Sequence, residues 1–184
     1  MGGAFLLRRG DGYVCFFYSY QWRENEKWHV NVFEAVAGLA LLVAGHIVSP
    51  APFVSEFGDN NVANASARRN ATPNLQIAEI LHHRAEFVSK EKITTRQLRM
   101  STDDNVLGDP LSRGPKYMSK FYEEARKMGA TSFVRMDVPP MILSLMTVLA
   151  SLHPAVLQEE YDSRMGRNSK PSRPRRSPSP GQPI

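Results

Sequence analysis

The sequence predicts a mixed α/β (α+β) fold: a five-stranded mixed sheet whose first three strands are antiparallel, with helices on both faces. Two observations support this prediction. Aromatic and β-branched residues are dense in the first thirty positions, a composition typical of strands. Further along, short strand-like segments alternate with segments of helical periodicity, and strands joined through helices run parallel to one another.

The first three strands are predicted at residues 3–9, 13–20 and 27–32. Asp11-Gly12 separates the first two, and this dipeptide is typical of a tight hairpin turn. A polar stretch precedes the third. Because short connections join consecutive strands, we expect an antiparallel meander.

A long apolar helix is predicted from Asn31 to about His46. Asn31 is a plausible N-cap and Glu34 follows it by three residues, which resembles a capping box. The uninterrupted apolar run is shorter than the ~18 residues of a membrane span, so we expect a buried helix and no membrane partner. Phe53–Phe57 then forms a short strand, expected to run parallel to an earlier one.

The rest of the chain continues the alternation of helices and strands. Helices are predicted at 61–69, from Thr72 to about 88, at 116–128 and at 141–152, a strand at 93–100 and an extended piece at 133–138, and a short helix opens at Asp109. We assign residues 1–114 to the sheet domain and 115–161 to a helical C-terminal extension.

Residues 162–184 form a predicted disordered tail rich in Ser, Pro and Arg, because they have too little apolar surface to fold. The net charge of +5 comes largely from this tail, which carries six Lys and Arg residues between Arg164 and Arg176 and no acid there. The rest of the chain is close to neutral. A basic tail favours a polyanionic partner, although it could equally be a solvated segment without function.

The cysteine content and the first residues of the sequence indicate in which cellular compartment the protein is expected. Cys15 is the single cysteine, which excludes a disulfide framework and a Cys-rich zinc site. No secretory leader pattern opens the sequence. We therefore expect an intracellular protein, in the cytoplasm or nucleus.

Three carboxylates occupy positions where a site could form. Glu34 lies on the first turn of the long helix, Asp59 directly follows the Phe53–Phe57 strand, and Asp109 opens a helix after the last strand of the sheet domain. Sites in sheets with crossover helices gather beyond the carboxyl ends of strands. Taken singly, each acid also has a structural explanation: a capping box for Glu34, a turn for Asp59 and an N-cap for Asp109.

Convergence of these acids would favour magnesium chemistry. Carboxylates that meet repel one another, and Mg²⁺ binds such hard oxygen ligands. Two Mg²⁺ ions about 4 Å apart stabilise the attacking water and the leaving oxygen of a phosphodiester. Convergence at one edge of the sheet would therefore predict a nuclease.

Three segments resemble motifs of the ribonuclease H domains of retrotransposon polyproteins, of the Ty3-like or DIRS-like kind. Residues 29–42 resemble the segment that carries the second catalytic acid. Residues 57–63, with the Asp59-Asn60 pair, resemble the third-acid motif, and residues 99–113, which end in Asp-Pro-Leu-Ser-Arg, resemble the fourth. The resemblance covers about residues 3–114.

The resemblance implies that this chain cleaves the RNA strand of an RNA–DNA hybrid with two Mg²⁺ ions. Glu34, Asp59 and Asp109 would be three of the four catalytic, metal-binding acids, with a reverse transcriptase domain upstream in an intact element. The family's first acid precedes a Gly-Gly-Ala-Phe-like stretch, which here follows Met1 directly, so that acid is missing. We expect impaired or absent activity.

Contacts to nucleic acid are predicted at Asn60, Arg68, Arg69 and Arg113. Arg68 and Arg69 could touch a phosphate backbone or be a solvated helix end, and Arg113 could contact the hybrid or balance the acids. The alternative function is a catalytically dead module that binds nucleic acid or has a structural role, with the tail making most contacts.

Overall fold

Five strands and six α-helices make up the described part of the computed structural model, residues 1–21 and 28–153. In chain order they are β1 (Gly2–Arg9), β2 (Gly12–Ser19), α1 (Val30–Val48), β3 (Phe53–Gly58), α2 (Asn61–Arg69), α3 (Leu75–Lys90), β4 (Thr94–Arg99), α4 (Gly108–Arg113), α5 (Met118–Lys127), β5 (Ala130–Arg135) and α6 (Pro140–Ser151). A short 3₁₀ turn, Pro115–Tyr117, joins α4 to α5. The mixed α/β prediction is confirmed.

The β1–β2 hairpin forms as predicted. Its strands pair antiparallel from Gly2 opposite Ser19 to Arg9 opposite Gly12. Gly10 turns the chain with a φ of 59°, a conformation that glycine adopts without strain. Because successive side chains point to opposite faces of a strand, Phe17 packs with Phe121 of α5 while Tyr18 packs with the core around α1.

The strands form two sheets instead of the single five-stranded sheet expected. One sheet has the order β1-β2-β5 and the other consists of β3 and β4. The β2–β5 and β3–β4 pairs are parallel, so the first sheet is mixed. The expectation that β3 would run parallel to an earlier strand is also wrong, because its hydrogen-bonded neighbour among the described strands is the later β4.

The predicted third strand at 27–32 is wrong, because α1 already begins at Val30. Residue 27 lies outside the described residues. The side chain of His29 accepts a hydrogen bond from the backbone N–H of Asn31, so His29 is the N-cap and Asn31 lies inside the helix. Val32, which the strand prediction had included, is fully buried and belongs to the apolar surface of the helix.

Helix α1 is the centre of the larger core. Eight of its residues are buried, and six of them belong to the core cluster that includes side chains of α3 and α6 and Tyr18. The Tyr18 hydroxyl donates a 2.6 Å hydrogen bond to the carbonyl of Ala37. By length and composition α1 could also cross a membrane. Its packing is that of the core helix of a folded domain, for which the same length and composition are common.

The chain beyond residue 114 contributes to the same fold. β5 pairs with β2, and the α6 residues Ile142, Leu145 and Leu149 are buried in the core around α1. Gln76 of α3 donates a hydrogen bond of 2.8 Å to the carbonyl of Leu149. The predicted helical extension therefore includes a strand and docks on the sheet domain. The predicted tail, 162–184, lies outside the described residues.

Candidate functional site

Backbone direction brings two of the three predicted acids to the same end of α1. Glu34 lies near the start of α1, and β3 follows that helix and ends at Gly58, directly before Asp59. The side chain of Asn60 donates a 3.0 Å hydrogen bond to the side-chain oxygen of Asn31. This bond fastens the turn after β3 to the first turn of α1.

Asparagine side chains shape the turn that carries Asp59. The Asn60 side-chain oxygen accepts a hydrogen bond from the backbone N–H of Ala63, and Asn64 donates a 2.7 Å bond to the carbonyl of Gly58. A Cβ at Gly58 would come within 2.8 Å of the Asn64 side-chain oxygen, so any larger residue here would have to displace that side chain. The sequence Gly-Asp-Asn-Asn-Val-Ala-Asn thus fixes the position of the carboxylate by local hydrogen bonds.

Glu34 and Asp59 line the same cavity, and the charge of one acts on the other. Burial is the largest cause that raises the pKa of the Glu34 carboxyl above its usual value, and the negative charge of Asp59 raises it further. The N-terminal ammonium of Met1 acts in the opposite direction. The structure therefore brings together a pair of carboxylates that are 25 residues apart in sequence.

Asp109 is held differently from the other two acids. It lies on the first turn of α4, as predicted, and accepts a hydrogen bond of 2.8 Å from Nε of Arg113. Among the described residues, no group of three or more His, Cys, Asp or Glu side chains is placed to hold a metal ion. The structure thus pairs Glu34 with Asp59 and does not join Asp109 to them in one cluster.

The donor set fits one magnesium ion better than two. Mg²⁺ commonly binds through one or two carboxylates and keeps several water ligands. Glu34 and Asp59 could supply these two carboxylates. A two-ion centre needs more carboxylates than this pair supplies. Asp109 accepts a hydrogen bond from Arg113 at one carboxylate oxygen and is not grouped with the pair.

The predicted nucleic-acid contacts fall into three situations. Asn60 is engaged in the turn after β3. Arg68 and Arg69 are exposed at the end of α2. Arg113 is exposed beside Tyr117, with its guanidinium carbon 5.7 Å from the ring centroid.

Sequence reasoning missed one basic and aromatic cluster. Lys116 also lies over the Tyr117 ring, with its ammonium 5.0 Å from the centroid, so the exposed Arg113 and Lys116 flank the half-buried Tyr117 next to Asp109. Cation–aromatic groups of this kind suit phosphate and base contacts. The Arg-Gly-Pro-Lys-Tyr string was the available signal, but nothing in it shows that the side chains meet.

The acid pair lies at one end of a long cavity, which we call the inter-sheet groove. It has a volume of about 680 Å³ and lies between residues 2–7 of β1 and residues 53–58 of β3. Glu34, Asp59 and Asn60 line it, together with Ala37, Gly38, Leu41, Leu42, Gly45 and His46 of α1. This groove was not predicted, because the predicted fold placed all strands in one continuous sheet.

Comparisons of the chain with models of protein families, with curated proteins and with solved structures found no match.

Proposed function

We propose that this chain is a ribonuclease H-like domain of a retroelement polyprotein that cleaves the RNA strand of RNA–DNA hybrids with Mg²⁺, with impaired activity. The observation that supports the proposal is the meeting of Glu34 with Asp59, because these acids come from two of the motifs that resemble that family. The same proposal includes a reverse transcriptase domain upstream in an intact element and a site of action in the cytoplasm or nucleus.

Different residues of the chain would bind the metal and the nucleic-acid substrate. Glu34 and Asp59 present carboxylate oxygens at the end of the inter-sheet groove, and bound Mg²⁺ would supply a Lewis acid that polarises a phosphoryl oxygen and activates water. The exposed Arg113 and Lys116 side chains would bind backbone phosphates. The proposal expects low activity of residues 1–184, because they contain no counterpart of the family's first acid and because Asp109 pairs with Arg113.

Cleavage of a hybrid with a labelled RNA strand tests the proposal. The protein is the full chain extended at its N-terminus by a strand-forming segment that carries an Asp, because the motif resemblance places the first acid there. We expect Mg²⁺-dependent cleavage that EDTA stops. Asp59→Asn should reduce cleavage to background, whereas Asp103→Asn, at an exposed turn, should leave it unchanged.

An absence of cleavage by the extended chain would contradict the proposal, as would equal cleavage by the Asp59→Asn variant. The unextended chain should be much slower than the extended one, since it has fewer carboxylates for the metal.

The second candidate is a module that binds nucleic acid without cleaving it. The lack of a three-residue metal group among the described residues favours it, as do the basic residues at 164–176, which lie outside the described part. Such a module would bind the hybrid in EDTA, and binding would weaken steeply with salt because counterions are released. A chain that ends at residue 161 should then bind much more weakly, and unchanged affinity would contradict this function.

A further inference from the structure

The inter-sheet groove separates two strand edges whose backbone groups are available for pairing. β1 is an edge of its sheet, and β2 occupies its other side. β3 pairs with β4 on one side, and the groove runs along residues 53–58. Among the described residues no strand pairs with β1 or β3 on the groove side. Unpaired edges of this kind are templates for another strand.

The two edges run in opposite directions. The start of β1 lies near the acids, because the ammonium of Met1 acts on Glu34, and the strand then passes Leu41 at Gly3 and Gly45 at Phe5. It therefore follows α1 from start to end. β3 runs back along α1 and ends beside Glu34, so it is antiparallel to β1. A strand between them would form one antiparallel and one parallel ladder, both of which are common in proteins.

The floor of the groove contains a glycine that the described packing does not explain. Gly38 lies in the middle of α1, where glycine is less favourable than alanine. It is exposed, and a Cβ at this position would meet no atom within 4 Å. A backbone passing over α1 at this point would account for the missing side chain, since glycine permits the closest approach.

Two buried nitrogens in the groove lining also lack a hydrogen-bond acceptor or donor. Within residues 1–21 and 28–153, neither Nδ1 of His46 nor Nε2 of Gln97 has a hydrogen-bond partner. Both residues line the groove. Buried polar atoms are usually paired, and a polar side chain of a bound segment could supply the missing partners.

We propose that the inter-sheet groove docks one extended polypeptide strand of about six residues, which pairs with β1 and β3 at once and joins the two sheets into one. Its length matches the six residues that each edge contributes, about 20 Å at the usual rise per residue. Apolar side chains at alternate positions would face α1. A basic residue would complement Glu34 and Asp59 at the end of the groove where Met1 lies.

A second folded copy of this chain fits the groove less well than a single strand. The occupant must offer both of its sides to hydrogen bonding, one to β1 and one to β3. An edge strand of a folded copy has one side already paired. A single extended segment has both sides free, as in known cases of strand addition to sheet edges.

The test adds the strand in cis to the full chain. A segment Thr-Val-Thr-Val-Thr-Lys followed by an Asn-Gly turn is fused ahead of Met1, so that it enters the groove beside Glu34 and Asp59 antiparallel to β1. Hydrogen–deuterium exchange is measured for the amides of β1 and β3. We expect exchange at alternate amides of both strands to slow roughly tenfold or more, since exchange reports local opening of backbone hydrogen bonds.

Three variants make the result specific. Gly38→Trp in the fused protein should abolish protection by filling the groove, whereas Gly38→Ala should keep it, and neither substitution meets an atom at Cβ. A fused segment with Pro at the Val positions should give no protection, because proline cannot donate to a ladder. Thermal melting of each variant verifies that the protein is folded.

Protection of β1 alone would overturn the proposal, because the strand would then extend one sheet without bridging to β3. Protection that the Gly38→Trp variant retains would also overturn it. So would a concentration-dependent dimer of the unfused chain that protects both edges, since a second copy would then be the occupant. None of these readouts involves hybrid cleavage, so the result stands apart from the proposed function.

Discussion

Arg84 of α3 binds the carboxylate of Glu56 in β3 through both terminal nitrogens of its guanidinium. The distance from Nη1 to Oε2 is 2.9 Å, and Nη2 bonds Oε1 and also the hydroxyl of Thr95, again at 2.9 Å. The Arg84 and Glu56 side chains are 10% and 14% exposed, so the pair is largely withdrawn from water. It joins α3 to both strands of the sheet that ends beside Asp59.

Arg84→Met should destabilise the protein by about 3–5 kcal/mol, because it leaves the Glu56 carboxylate buried without its partner. Urea denaturation measures the loss. Lys90→Met is the matched control, since Lys90 is 81% exposed and its contact with Glu91 is an exposed ion pair worth about 0–1 kcal/mol. Equal losses for the two variants would show that the buried pair contributes no more than a surface pair.

Glu34→Gln should stabilise the protein at neutral pH. Burial and the charge of Asp59 raise the pKa of Glu34 in the folded state, so the folded chain binds this proton more tightly than the unfolded chain does. The free energy of unfolding therefore falls as pH rises from the usual glutamate pKa near 4.5 through the higher pKa of Glu34 in the folded state. The glutamine variant lacks this loss.

Thermal unfolding of both proteins across the pH range measures the effect. The difference in midpoint should shrink below the usual glutamate pKa, where Glu34 is protonated in both states. Asp103→Asn, at an exposed position, is the control and should give no such pH dependence. A glutamine variant less stable than the parent at neutral pH would contradict the burial and repulsion described for Glu34.

Magnesium should raise the unfolding midpoint of the chain even without substrate, because a ligand that binds only the folded state stabilises it by mass action. At a concentration 100 times the Kd the gain is about 2.7 kcal/mol. Asp59→Asn should remove this gain, whereas Asp109→Asn should retain it, since Arg113 holds the Asp109 carboxylate. Potassium chloride of equal ionic strength is the control.

Loss of the magnesium effect in both variants would show that Asp109 joins Glu34 and Asp59 when metal binds, as the motif resemblance implies. No magnesium effect in the parent chain would count against a metal site at the acid pair.

Most helices and strands could be predicted because local signals specify them. The Asp-Gly hairpin, the strand before Asp59 and the strand at 94–99 all formed near their predicted limits. The start of α1 could not be placed in the same way. Asn31 has the better capping propensity, but His29 caps the helix and Asn31 bonds Asn60, a residue 29 positions away.

The candidate site was predicted in part. The position of Asp59 directly after its strand followed from the sequence, whereas the placement of Glu34 on the first turn of the helix is wrong, because α1 begins at Val30 with His29 as its N-cap and its first turn carries no acid. The two acids come to the same end of α1 because β3 runs back along the helix. Asp109 and Arg113 are four residues apart on one helix, a spacing at which side chains can meet, so the sequence already allowed this contact. Lys116 and Tyr117 lie in the 3₁₀ turn at 115–117, and their contact with Arg113 depends on this turn, which was not predicted.

The sequence by itself determined the alternation of helices and strands, the hairpin, the apolar α1 and the residues that carry the acids, because each depends on periodicity, turn chemistry or composition over a few positions. Only the tertiary structure decided that β5 pairs with β2 and that the strands divide into two sheets. It also decided that Asp59 lies near Glu34, whereas Asp109 accepts a hydrogen bond from Arg113. These outcomes depend on which edges and faces pack together over tens of residues, and pairing between distant segments leaves no local pattern from which it can be read.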